Sequence, residues 1–177
     1  KQTLQRAQVK RVFHDPASLP ADLAEGLALI AAGRLDAARS KLASAARNSS
    51  SPLWAQSEAA FRRAESYATE GNLAAAERAL ASFAQERPRS RWVVDARALR
   101  ARILLDLGRE EDAKAEYEAA SRTLGATEDE ALGARFLATW AAARGALRSG
   151  DATRTADAAK TFDAIRPQGS SRAALAL

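Results

Sequence analysis

The sequence predicts an all-α chain, a solenoid of helix-turn-helix hairpins. Two observations predict it, one of composition and one of pattern. Ala makes up about a quarter of the 177 residues while Leu, Ile, Val and Phe together supply about 18%, so the chain favours closely packed helices over β-structure or disorder. A phrase made of a helical run, a Gly and a second helical run also occurs four times, with its glycines at Gly33, Gly71, Gly108 and Gly150. The intervals of 38, 37 and 42 residues fall inside the roughly 20 to 50 residue band of helical repeats.

Each element follows from its boundaries. A Gly closing a helix accepts the left-handed backbone that costs other residues more, and the next residue opens the second helix, with Asn72 and Asp151 as good caps. Ser51-Pro52 places a cap before a proline suited to a first helical turn, and Thr127-Glu128-Asp129-Glu130 reads as a capping box. Pro88 and Pro167 end second helices, since a proline disfavours helical geometry in the residue before it. Helices are therefore expected over 21–32 and 35–47, 53–69 and 73–86, 91–106 and 110–123, and 128–148 and 152–165. Short turns make each pair an antiparallel hairpin, giving units 19–51, 52–89, 90–126 and 127–167. Residues 1–18 read as an N-terminal helix, the remnant of a preceding repeat, and 168–177 as a tail or the start of a further helix. The longest glycine interval places extra length in the 124–130 connection or in the fourth unit's first helix.

Composition narrows the function. With no Cys and a single histidine, His14, the chain lacks thiolate and most imidazole chemistry. The motifs of zinc peptidases, P-loops, dinucleotide sites and hydrolase elbows do not occur. Glu110-Glu111-Asp112 and Glu128-Asp129-Glu130 are expected in first helical turns, where acidic side chains suit the positive helix end. No catalytic residue, metal ligand or cofactor is expected. The net charge is +5, but 27 basic and 22 acidic residues are interspersed, unlike the concentrated basic face of a nucleic-acid-binding protein. No apolar stretch approaches the ~18 to 20 residues of a membrane span. The chain starts at Lys1 and contains no Met, as expected of a processed product or an excised piece. Arg outnumbers Lys roughly four to one, which with the Ala excess suggests a G+C-rich, bacterial source.

Counted from each Gly, the pattern resembles the tetratricopeptide repeat family, a 34-residue helix-turn-helix unit. Seven positions before it stand Gly26, Ala64, Ala101 and Ala143; four before, Leu29, Tyr67, Leu104 and the weaker Ala146. Five after stand Ala38, Ala76 and Ala113, with Thr155 departing; nine after, Leu42, Leu80, Tyr117 and Ala159; twelve after, Ala45, Phe83, Ala120 and Phe162. Small residues let helices approach and large ones fill the holes between them. The leucine usual just before the first small residue is replaced by Glu25, Arg63, Arg100 and Ala142. The resemblance covers about 19–167 and implies a right-handed α-solenoid. The segment from Glu86 to Trp92, with the Leu107–Ala113 phrase, is also similar to linkers of bacterial cell-envelope repeat proteins, which tilts localisation toward the periplasm or envelope.

In that family the first helices line a concave surface. The resemblance places Leu23, Leu27 and Ile30, then Phe61, Glu65 and Ala68, then Ala98, Arg102 and Leu105, then Trp140, Arg144, Leu147 and Arg148 along it. Apolar residues would dominate one end and arginines the other, a surface suited to a peptide or partner helix with an apolar anchor and an acidic segment. The expected function is a non-catalytic protein-interaction scaffold within a larger bacterial protein or assembly. The alternative is a nucleic-acid-binding helical repeat.

Overall fold

The structure, a computed structural model, describes residues 18–123, 126 and 128–165. Those residues form eight α-helices and no strand: α1 (Ala21–Ala31), α2 (Leu35–Arg47), α3 (Leu53–Thr69), α4 (Leu73–Glu86), α5 (Val93–Asp106), α6 (Glu110–Ser121), α7 (Glu128–Ser149) and α8 (Ala152–Ile165). The all-α expectation holds, and the boundaries lie within two residues of those read from the sequence. The expected N-terminal helix, His14, the Thr127 cap, Pro167 and the tail fall outside the described residues.

The four glycine corners are built alike. Gly33, Gly71, Gly108 and Gly150 have φ of 71°, 83°, 73° and 71°. At each one the glycine N–H donates to the carbonyl three residues back, and the following N–H to the carbonyl five residues before itself: Arg34 to Leu29, Asn72 to Tyr67, Arg109 to Leu104 and Asp151 to Ala146. This is the Schellman closure of a helix. The carbonyl of that same following residue accepts from the fifth residue after the glycine, Ala38, Ala76, Ala113 or Thr155, at 3.0 Å in every case. One residue thus ends a helix with its N–H and begins the next with its C=O. Asn72 and Asp151 add the expected side-chain caps, accepting from the N–H of Ala75 at 3.2 Å and of Arg154 at 2.9 Å.

At α3 the start differs from expectation. Pro52 lies just outside the helix as its cap, its carbonyl accepting from Ala55 and Gln56, while the Ser51 carbonyl is taken by the Gln56 side chain at 2.7 Å.

The chain divides into two compact units, Lys1–Arg63 and Ala64–Leu177. In the first, Leu23 of α1 and Ala38, Leu42 and Ala45 of α2 form a core with Ala55 and Ala59 of α3. Gly26 is what lets α1 and α2 approach, because a Cβ there would lie 2.7 Å from both Cγ and Cδ2 of the wholly buried Leu42. Glu25, where the repeat pattern has leucine, reaches across the hairpin to Lys41 at 2.8 Å. That hydrogen bond and the Glu25 charge hold the Lys41 ammonium above its usual lysine pKa.

In the second unit each helix from α4 to α8 packs on the next, and α5 also touches α7. Ala101, Leu104 and Leu105 of α5, Ala113 and Tyr117 of α6, and Ala138 and Ala141 of α7 make its core. Burial pushes the Tyr117 phenol above its usual pKa. The extra length of the fourth hairpin lies in its first helix: α7 has 22 residues against 14 in α5. Just after the added residues 128–134 stands Phe136, which meets Phe162 of α8 edge-on at 5.2 Å between ring centroids, a contact that supports the hairpin whose own Thr155 and Ala159 are not buried.

Two glycines fail for different reasons when replaced. Gly26→Ala is expected to cost about 1 to 3 kcal/mol by overpacking, and less in a Leu42→Ala background where the clashing atoms are gone. Gly71→Ala meets no atom within 4 Å and is expected to cost about 1 kcal/mol through its left-handed backbone alone, with or without Leu42. Urea denaturation of the single and double variants checks both.

Candidate functional site

The exposed face of α7 gathers four of the expected groove residues. Trp140, Arg144, Leu147 and Arg148 are spaced by four, three and one residues, which at 3.6 residues per turn puts them on one side of the helix. Trp140 is 42% exposed and Leu147 68%. The Arg144 guanidinium lies 5.7 Å from the Trp140 ring centroid, a cation–π distance, and its Nη2 donates to the Leu105 carbonyl at 3.2 Å.

Glu110, in the first turn of α6, organises the arginine end. Its Oε1 accepts from Arg148 Nη1 at 2.5 Å and lies 3.7 Å from Arg144 Nε. Gly145 makes room for it, since a Cβ there would stand 3.2 Å from the Glu110 Cβ. Arg148 folds over the corner at Gly108, where an added Cβ would approach its Nη1 to 3.2 Å. Burial pushes the Glu110 carboxyl upward, but its own backbone N–H, the Arg148 hydrogen bond and the Arg148 and Arg144 charges outweigh that and hold it below the usual carboxylate pKa. Two guanidiniums share one carboxylate, which leaves a positive charge beside an exposed indole and an exposed leucine.

The other expected groove residues are placed differently. Leu23 is wholly buried and Phe61 is 4% exposed, so both are packing residues and cannot meet a partner. The reason is visible in α1, where Leu23 shares the stripe of Gly26 that faces α2. Leu27 is half-buried against the core of the first unit. Glu65, in the second unit, is half-buried. Arg102 is exposed on α5, with no carboxylate within 4 Å among the described residues. What covers the helix, not its register, separates Trp140 from Phe61, both ten residues before a glycine, and Leu147 from Leu105, both three before one. Leu105 is covered in the core shared with α7, whereas nothing among the described residues covers Leu147.

A second surface escaped the sequence reading. Between α6, α7 and α8 lies a cleft of about 710 Å³. Its α7 stripe is Arg135, Ala138, Thr139 and Ala142, about half a turn of helix round from Trp140 and Arg144 at roughly 100° per residue. The signal was present in the departures from the repeat pattern. Eight before and eight after the glycine stand Glu25 and Lys41 in the first hairpin and Arg100 and Glu116 in the third, each an ion pair. In the fourth they are Ala142 and Ala158, both lining the cleft. Among the described residues no group of three or more His, Cys, Asp or Glu side chains is arranged to hold a metal ion, and no helix is long and apolar enough to cross a membrane.

Glu110 gives the face a pH signature. Its folded pKa is depressed, so its stabilising contribution is complete above the unfolded value of about 4.3 and is lost as pH falls through the folded pKa. Glu110→Gln is expected to cost about 1 kcal/mol at neutral pH, a charged hydrogen bond discounted for the exposure of Arg148. The gap from the parent protein should close in acid. Urea midpoints of both proteins at neutral pH and well below the carboxylate range check this, and a gap unchanged in acid would contradict it.

No family model, curated protein or solved structure matches this chain.

Proposed function

We propose that the chain is a non-catalytic protein-interaction scaffold, a right-handed solenoid of tetratricopeptide-like hairpins that takes a peptide or partner helix against the exposed face of α7. The single observation that carries this reading is the pairing of Trp140 and Leu147, both exposed, with the arginine pair at Glu110. Isolated apolar residues on a surface are ordinary, but an exposed aromatic flanked by cations on one helix face has the make-up of an interface anchor.

The packing of the second unit supports a helical partner. α7 covers Leu105 of α5 and ties itself down by the Arg144 bond to the Leu105 carbonyl. A helix lying on α7 as α7 lies on α5 would cover Leu147 in the same way. Its acidic residues would meet Arg148 and Arg144, drawing on the charge that Glu110 leaves uncompensated. The shared corner geometry supports the solenoid reading, and the likeness of the Glu86–Trp92 linker to envelope repeat proteins supports a place in a larger bacterial assembly.

Selection of peptides from a random helical library on the immobilised protein tests the proposal. The peptides retained should combine a large apolar residue with acidic residues, and Trp140→Ala and Leu147→Ala should each weaken their binding by about tenfold or more. Because both side chains are exposed, melting temperatures should stay within a few degrees of the parent. Retained peptides that bind both variants undiminished would refute the assignment. Binding to unrelated oligonucleotides that falls steeply with salt would favour the nucleic-acid alternative.

A further inference from the structure

We propose that the cleft between α6, α7 and α8 binds a small organic anion, a carboxylate or phosphate monoester carried on a compact apolar body. This goes beyond the scaffold reading and concerns the opposite face of α7.

The argument begins with what fills the corresponding furrow one hairpin earlier. There Arg100 of α5 reaches Glu77 of α4 at 2.6 Å and Glu116 of α6 at 2.5 Å, and Arg97 joins Glu116 at 3.0 Å. The side chains of three helices close the space among themselves. At the matching positions of the fourth hairpin the chain has Thr139 for Arg97, Ala142 for Arg100, Lys114 for Glu77 and Ala158 for Glu116. Two arginines and two glutamates have given way to two alanines, a threonine and a lysine. The furrow therefore stays open, with a volume inside the roughly 300 to 1,000 Å³ range of small-molecule sites.

What remains in the cleft selects the ligand. Ala138, Ala142, Ala158 and Ile165 give it an apolar floor. Four cations line it, Lys114, Arg122, Arg135 and Arg154, against two carboxylates, Glu118 and Asp157. Glu118 is already shared by Lys114 at 3.9 Å and Arg122 at 3.6 Å, and Asp157 holds Lys160 at 3.3 Å. Arg154 is paired with Glu111. Arg135 has no carboxylate within 4 Å among the described residues. The hydroxyls of Ser121, Thr139 and Thr161 donate to carbonyls of their own helices, at 2.8, 3.1 and 2.9 Å. They can accept from a ligand but have no proton left to give an anion. Recognition of negative charge thus falls to the guanidiniums, Arg135 first, whose planar fork fits a carboxylate or a phosphate.

Nuclear magnetic resonance titration of the isotopically labelled full chain, at fixed ionic strength, tests this with benzoate, phenyl phosphate and the neutral benzyl alcohol. Saturable shifts at Thr139, Ala142 and Ala158 are expected with at least one anion and not with the alcohol, the tighter of the two anions identifying the head group. Arg135→Gln should weaken binding by about tenfold. The double variant Ala142→Arg, Ala158→Glu, which restores the ion pair of the third hairpin, should abolish it with helix content kept. Absence of saturable shifts with either anion, equal binding of the alcohol, or anion binding undiminished in Arg135→Gln would overturn the proposal.

Discussion

A left-handed glycine at each corner fixes how one helix hands over to the next, and the rest of the structure follows from that handover. The residue after the glycine closes one helix with its N–H and opens the other with its C=O, so there is no slack in which the second helix could rotate. Once rotation is fixed, position counted from the glycine decides which side chains face the partner helix. That is why, in the first three hairpins, Leu42, Leu80 and Tyr117, all nine residues after a glycine, are buried alike, while Ala159 at this place in the fourth is exposed. The constraint is inexpensive because glycine meets little steric penalty at positive φ.

Within this fixed register the chain varies the filling. Eight positions either side of the corner, one hairpin has a glutamate facing a lysine, another an arginine facing a glutamate, and the last two alanines. The two ion pairs lie on half-covered surfaces, where charges gain only modest stability but select one alignment of the helices. The alanine pair selects nothing and leaves a cleft. On the other side of α7, Trp140 and Leu147 are exposed at the places where Leu23 and Phe61, and Leu105, are buried. The fourth hairpin is thus the place where the repeat stops satisfying itself from within, on both of its faces.

The helices and their corners were legible in the sequence because glycine, Asn72 and Asp151 act locally, through backbone geometry and a single side-chain hydrogen bond. The depth of a residue was less legible. Leu23 and Trp140 occupy the same place relative to their glycines, yet one is buried at 0% and the other exposed at 42%, because depth depends on what lies over the helix rather than on the helix's own period. Arg144 and Arg148 were found as surface cations, but their convergence on Glu110, 34 and 38 positions away along the chain, required the fold. The cleft was missed for a similar reason: Ala142 and Ala158 look unremarkable singly and matter only as a facing pair.

Amide hydrogen exchange at the residue following each glycine tests the central claim most directly. If the corners govern the register, the N–H groups of Arg34, Asn72, Arg109 and Asp151, each bound to a carbonyl five residues back, should exchange far more slowly than unstructured amides, although all four lie in turns between helices. Exchange at the unprotected rate at these positions, with the flanking helices still protected, would show that the helices are held by packing alone and would contradict the account.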